Sequence, residues 1–332
     1  MATLADTTPP SFFNLNPNKI SNIGLDLGIT STKICYKLVD DEKIYRDKVE
    51  SGEKFIENFE KLFLGLGRKK TLRNGDLDLK IGITGVGATK YRSRINNFSV
   101  KIELDELSAL GKSLQANENL HLSKSSSHLI VNAGTGCSIA VLDRNGTTTR
   151  IGGSALAGGT FEALAALAFR ANGEFFGDSK SFWNKVVEIL EKRSQSSTPS
   201  HNLHKTIGQV LGTDQEIYGL KPDIIAAFLS NINHQNINDI SIPDLIIELQ
   251  TTVTFNLISL VNEMIGKLNC QGSQTSQLVP GQSKIVYTGG YFTLPNSGLL
   301  IGQISDFYGI GYERVYVDNG FSGAEGCLRE TF

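Results

Sequence analysis

The sequence predicts an α/β protein built as two domains that face each other across a cleft. Three observations carry this expectation. Strand-like and helix-like segments alternate in both halves of the chain. A buried strand entering a glycine-rich turn occurs near the start, as NIGLDLGIT, and again near the middle, as LIVNAGTGCS. The 332 residues leave room for one large or two medium domains. A composition of 40% hydrophobic and 20% charged residues is that of a globular chain and excludes disorder, collagen and coiled coil. With 32 basic against 34 acidic side chains the net charge is -2, so no overall field draws nucleic acid or an anionic membrane. Any anion must be held by a local site.

The first stretch, MATLADTTPPSFFNLNPNK, reads as a loose polar tail without a basic n-region and apolar h-region. NIGLDLGIT, TKICYKLVD and EKIYRDKVE follow as the strands of a meander. FIENFEKLFLGLG has helical spacing and stops at glycine, DLKIGITGVG is a buried strand ending in a glycine turn, and ELDELSALGKSLQANENL is helical. SHLIVNAGTGCSIAVLD is a hairpin, followed by a glycine turn at RNGTTTRIGG; 161–193 is helical, with GDS opening a capped helix. The segment 194–202 is a loop of Ser, Thr, Pro and Asn. A long helix over about 244–268 carries so many apolar residues that it is either a core helix or a dimer seam. KIVYTGG and RVYVD are strands, and SGAEGCLRE is a terminal helix.

Cys35, Cys137, Cys270 and Cys327 stand far apart without a CxxC pair or neighbouring histidines, so they read as free thiols in a reducing, cytoplasmic setting. No run of about 18 apolar residues crosses a membrane.

Glycine is the composition figure that stands out: 34 residues, about a tenth of the chain against a usual share of roughly 7%. In Gly24-Leu25-Asp26-Leu27-Gly28-Ile29-Thr30, with Lys33 beyond, amides and the Thr30 hydroxyl can point at phosphate oxygens, while Asp26 can hold Mg²⁺ through water. A hairpin turn is the plain alternative there. Neither GxxxxGK[ST] nor GxGxxG occurs at this turn, which argues against a P-loop or a Rossmann site. Asn132-Ala133-Gly134-Thr135-Gly136-Cys137-Ser138 is a second turn that suits a hairpin or a clamp on a terminal phosphate. The third is Gly152-Gly153, followed by Ala157-Gly158-Gly159-Thr160 at a helix start, a ready anion site. At the fourth, Thr288-Gly289-Gly290-Tyr291, a flat base could lie against backbone. Such turns at four strand ends point to nucleotide binding.

These residues resemble the sugar-kinase and actin-like ATPases, and among them the type II (eukaryotic-style) pantothenate kinases. GLDLGITSTK is similar to that family's phosphate loop, IELDEL to its catalytic-glutamate segment, NAGTGCS to its second phosphate turn and RIGGSALAGGTFEAL to its Arg-led glycine motif. GTDQEIYGL, PDIIAAF, YTGGYF and VYVDNGFSGAEG are similar to later blocks, in order. The resemblance implies two actin-like (ribonuclease H-like) α/β domains facing a nucleotide cleft, with a tail at 1–20, a first domain at 21–128 and a second at 129–332. It implies an ATP-dependent pantothenate kinase that forms 4'-phosphopantothenate for coenzyme A, with Mg²⁺ as cofactor. Asp26 would organise the metal; Gly28, Ile29, Thr30, Lys33, Gly134, Gly136, Gly158, Gly159, Thr160, Gly289 and Gly290 would surround ATP. Glu103 would be the general base, Arg150 would clamp phosphoryl group or carboxylate, and Thr135 and Cys137 would face pantothenate. The same resemblance implies a homodimer, acetyl-CoA or other acyl-CoA as feedback inhibitor, and no nucleic-acid or membrane partner. By the residues alone, Glu103 also fits an acidic helix start and Arg150 a solvated strand end.

Ile29 and Ala157 stand where that family has glycine, and a side chain there restricts the approach of backbone to phosphate. Two further readings therefore stay open: a catalytically impaired regulator that binds nucleotide or acyl-CoA, and another small-molecule kinase of the superfamily.

Overall fold

The computed structural model describes residues 11–28, 31–39, 41–64, 79–95, 100–195, 203, 205–216, 222, 225–232, 240–271, 277–317 and 320–331. Among them two five-stranded sheets repeat one plan. In the first lobe, β1 (Ile20–Leu27), β2 (Ser31–Leu38) and β3 (Tyr45–Glu50) form an antiparallel meander. Helix α1 (Glu53–Leu64) leads to β4 (Lys80–Thr84), which lies parallel to β1, and α2 (Val86–Ile95) leads to β5 (Val100–Glu103). The order is β3-β2-β1-β4-β5. In the second lobe β6 (His128–Ala133), β7 (Cys137–Leu142) and β8 (Thr148–Ser154) form the meander, and β11 (Lys284–Thr288) and β12 (Glu313–Val317) complete the order β12-β11-β6-β7-β8. A meander extended by two parallel strands, made twice, is the actin-like architecture.

Between the sheets run α3 (Glu106–Ala116) and α9 (Ser322–Arg329). Leu110 and Leu114 of α3 pack with Ile130, Leu142, Val286 and Val317 of the second sheet, so α3 ties the lobes together. Helix α9, which the sequence groups with the second domain, instead returns to the first sheet, with Ala324 and Leu328 buried against Cys35. Glycine makes this return feasible. A methyl on Gly24 would collide with the Ala324 carbonyl and Leu328, and one on Gly326 with the Ala109 carbonyl of α3. Glu325, on the same helix, is fixed by Arg46 of β3 at 2.9 Å and Arg329 at 2.8 Å.

The second lobe adds α4 (Gly158–Ala171), α5 (Ser179–Gln195), the short β9 (Lys205–Thr206), α6 (Ile207–Leu211) and β10 (Ile225–Ala227), then α7 (Ile242–Gln271) and α8 (Ser297–Phe307). The long helix packs into the core of the second lobe. Ile246, Leu249, Val253, Leu257, Ile258 and Val261 are buried in the second-lobe core, and Leu245, Ile247, Phe255 and Leu260 pack against it. By length and composition α7 could also cross a membrane, but 50% of its most apolar window is buried in the fold.

Three expectations need correcting. The tail is not loose from residue 11 onward: Phe12 is fully buried among Tyr36, Phe59 and Phe63, and its amide donates to Asp47 at 2.7 Å. Gly152 and Gly153 form no turn; they continue β8, opposite Ile139 and Ser138. Helix α2 and strand β5, which the sequence pattern does not announce, separate β4 from α3. Most of the 194–202 loop lies outside the described residues.

The α3–α9 contact sets a stability test. Gly326→Ala forces the helices apart and lowers unfolding free energy by about 1–3 kcal/mol. Gly266→Ala, at an exposed position of α7 with open space around it, leaves stability unchanged or raises it by up to about 1 kcal/mol. Urea titrations of both variants measure this, and equal effects would contradict the packing argument.

Candidate functional site

A cleft of about 850 Å³ opens between the lobes, within the size range of small-molecule sites. Its floor is a row of cross-strand partners. Residues directly opposite in an antiparallel pair share a face of the sheet. Asp26 of β1 stands opposite Lys33 of β2, and Lys33 opposite Lys48 of β3. All three line the cleft. Asp26 is only 7% exposed, and Lys33 Nζ lies 3.1 Å from its Oδ2, which gives the buried carboxylate its counter-charge.

The first residue of α3, Glu106, projects into the same space. Asp105 caps that helix, its carboxylate accepting from the Ser108 amide at 2.9 Å, and so fixes where α3 begins. Glu106 Oε1 accepts from Asn132 Nδ2 of β6 at 3.2 Å, a bond that crosses from one lobe's wall to the other's. Although solvent reaches it through the cleft mouth, the surrounding walls push its pKa up, and the Asp26 charge adds to that rise; Lys33, Asn132 and Arg150 act the other way.

The second lobe contributes the β6–β7 turn, with Gly134, Thr135, Gly136 and Cys137, and Arg150 of β8. Arg150 Nε donates to the Gly152 carbonyl at 3.1 Å, which holds the guanidinium along the wall. Cys137 is a buried thiol whose pKa desolvation pushes up to about 12, so it meets a ligand as a neutral group. Gly158 and Gly159 line the cleft, but their amides are already engaged, donating to the carbonyls of Gly134 at 3.0 Å and Thr135 at 2.9 Å. The α4 start therefore clamps the β6–β7 turn in place rather than offering these two amides to an anion. At the far end Gly289, with φ +100°, and Gly290 meet Tyr291, Leu294, Trp183 and Val187 in a less polar surface. Gly320, Ser322 and Gly323 at the start of α9 close the side nearest Asp26.

Of the residues singled out by sequence, Asp26, Gly28, Lys33, Gly134, Thr135, Gly136, Cys137, Arg150, Gly158, Gly159, Gly289 and Gly290 line this one cleft. Ile29 and Thr30 lie outside the described residues. Thr160 does not line the cleft; its hydroxyl donates to the Ala155 carbonyl at 3.3 Å. Nor does Glu103, which ends β5 and pairs with Arg92 at 3.1 Å. Ala157 is fully buried at φ -152°, a backbone that needs no glycine, and its methyl packs in the core rather than toward the cleft. The sequence motifs do not single out Lys48 or Trp183, and they give Glu106 no role beyond its place in the helical segment ELDELSALGKSLQANENL. The Asp105–Ser108 capping spacing was the signal that could have placed Glu106 at the first turn of α3.

A family model, Fumble, matches residues 22–329. The chain belongs to the Fumble family. Among solved structures, the activator of the 2-hydroxyisocaproyl-CoA dehydratase from Clostridium difficile, with bound ADPNP, is similar at a TM-score of 0.54 and 18% identity, over 93% of each chain. Component A of the Acidaminococcus fermentans (R)-2-hydroxyglutaryl-CoA dehydratase follows at 0.53 and 17%, over 93% of this chain and 96% of that one. These likenesses agree with the two-lobed actin-like fold of this Fumble-family chain. They also correct the resemblance to type II pantothenate kinases: the family matched is Fumble, and the similar solved structures are dehydratase components rather than type II enzymes.

The raised carboxyl of Glu106 gives a stability prediction whose sign is fixed. A folded pKa above the unfolded one means that this group's contribution to stability falls as pH rises through that interval. Glu106→Gln therefore raises the melting temperature of the ligand-free protein at pH 7, and the difference closes below the ordinary glutamate value of 4.5. Calorimetry across pH measures it; a lower melting temperature at pH 7 would contradict the placement beside Asp26.

Proposed function

We propose that this protein transfers the terminal phosphoryl group of ATP to the primary hydroxyl of pantothenate. The observation that carries the reading is the convergence on one cleft of Asp26, Lys33 and Glu106 from the first lobe with the β6–β7 turn and Arg150 from the second. Membership of Fumble, a family related to pantothenate kinases, supports the acceptor, and the actin-like ATPase fold supports the donor. ADPNP bound to the Clostridium difficile activator, a protein of similar fold, supports a nucleotide as ligand.

The acceptor oxygen attacks the γ-phosphorus; the new O–P bond forms as the bond to the ADP oxygen breaks, and ADP leaves with those electrons. The hydroxyl proton passes to the Glu106 carboxylate, whose raised pKa makes it a better base than an ordinary surface glutamate. Glu106, not Glu103, takes this role because only Glu106 lines the cleft. Lys33, Arg150 and amides of the β6–β7 turn steady the charge on the transferring group. Arg150 suits either a phosphoryl group or the pantothenate carboxylate, since its planar fork binds both. The less polar end beside Trp183 and Gly290 suits adenosine.

Asp26 is the residue that would hold Mg²⁺, which supplies neutralisation of the triphosphate when bound. The donor fits: Asp26 is a carboxylate at a strand end that lines the cleft, and magnesium is held through one or two carboxylates with water and phosphate. A cytoplasmic setting, homodimer formation and acyl-CoA feedback belong to the same proposal.

ADP release measured with and without pantothenate tests the reading. It predicts pantothenate-dependent release that Glu106→Gln lowers by about 10²–10⁴-fold. Glu103→Gln stays within a few-fold of the parent. Release indifferent to pantothenate would overturn the acceptor, and a larger loss in Glu103→Gln would overturn the base.

A further inference from the structure

We propose that Lys48 is a second oxyanion-binding cation of the cleft, which acts beside Lys33 on a negatively charged group of the bound substrates. The inference rests on the phosphoryl-transfer reading and adds a residue that neither motif nor comparison assigns.

Three features of the site favour an anion near Lys48. Lys48 is the direct cross-strand partner of Lys33, so two ammonium-bearing side chains rise side by side from the same face of the first sheet. Their charges are not equally balanced. Lys33 has Asp26 at 3.1 Å, whereas among the described residues no carboxylate lies within ion-pair distance of Lys48. Like charges directly opposite one another in a sheet are destabilising, so an unbalanced second lysine is retained here at a cost that a bound anion would remove. The wall facing Lys48 across the cleft belongs to the other lobe: Glu162 of α4 is the acidic group that acts on it, from beyond ion-pair distance.

The crowding of the ammonium points the same way. Desolvation by the cleft walls, followed by the Lys33 charge, lowers the Lys48 pKa, and Glu162 only partly opposes this. A cation in such a setting binds an oxyanion more strongly than a fully hydrated surface lysine does. Lys48 is on the outermost strand of the meander, one strand beyond Lys33 and two beyond Asp26. That position suits a group at the end of the ligand chain and not the middle of a nucleotide. Two groups of the proposed substrates share this chemistry: the terminal phosphate of ATP and the carboxylate of pantothenate.

The test compares the full-length parent with Lys48→Met and Lys48→Arg. Calorimetric affinities for ADPNP and ADP are measured without acceptor, and the pantothenate KM and kcat are measured in the ADP-release assay. If the partner is the terminal phosphate, Lys48→Met weakens ADPNP by about tenfold and leaves ADP unchanged. If it is the carboxylate, the pantothenate KM rises by about tenfold at nearly constant kcat, and both nucleotides bind as before. In either case Lys48→Arg recovers to within about threefold of the parent, which a merely structural lysine has no reason to do. Parent-like values throughout for Lys48→Met, or an equal loss of ADPNP and ADP that Arg does not restore, overturn the proposal. The nucleotide arm needs no acceptor. Failure of the parent to use pantothenate therefore counts against the functional reading and removes the carboxylate as partner, and the ADPNP-to-ADP comparison then decides on Lys48, with unchanged affinities overturning the proposal.

Discussion

The structure depends on how closely α9 can approach both the first sheet and α3. Side chains at Gly24 or Gly326 would occupy space held by the Ala324 and Ala109 carbonyls, so this contact exists only because those positions lack a Cβ. Its consequences reach the cleft from two directions. The start of α9 brings Gly323 against Asp26, while α3, held by α9 along one flank, presents Glu106 from its first turn and packs Leu110 and Leu114 on the second sheet. One backbone contact therefore sets the relative position of a floor carboxylate, a wall carboxylate and the second lobe.

The electrostatics follow from strand pairing. Asp26 sits where an unpaired carboxylate would be costly, and Lys33 reaches it because the β1–β2 register makes them direct partners. Desolvation offsets much of the attraction in a pair this close to the interior, so its main effect is to hold the carboxylate in place rather than to stabilise the fold. Glu106 is placed in the opposite sense. Partial desolvation by the cleft walls and proximity to Asp26 disfavour its charged form, which weakens the fold slightly and suits a group that must take up a proton.

Much of this was legible in the sequence. The repeated strand-and-turn units announced two lobes, and the meander and the hairpin at NAGTGCS were read from alternation. Other parts required tertiary information. Glycine marks any place where atoms come close, and the same residue type served helix packing at Gly24, strand continuity at Gly152 and Gly153, and the clamp on a turn at Gly158 and Gly159. Sequence alone could not separate these uses. Glu103 and Glu106 are three residues apart in one acidic segment, and a strand end falls between the first and the helix cap at Asp105. Which of them faces the cleft depends on where β5 stops, and that in turn depends on its pairing with β4. Lys48 was hidden because its significance lies in its cross-strand partner Lys33, not in its own neighbours along the chain.

The central claim is that both lobes bring their charged groups to one transferring phosphoryl group. A crystal structure with ADPNP and pantothenate bound together tests it most directly. The account predicts the triphosphate between the β1–β2 and β6–β7 turns, with the pantothenate hydroxyl within hydrogen-bond reach of Glu106 and in line with the terminal phosphorus. A triphosphate outside this cleft, or an acceptor hydroxyl beside Glu103, would contradict it.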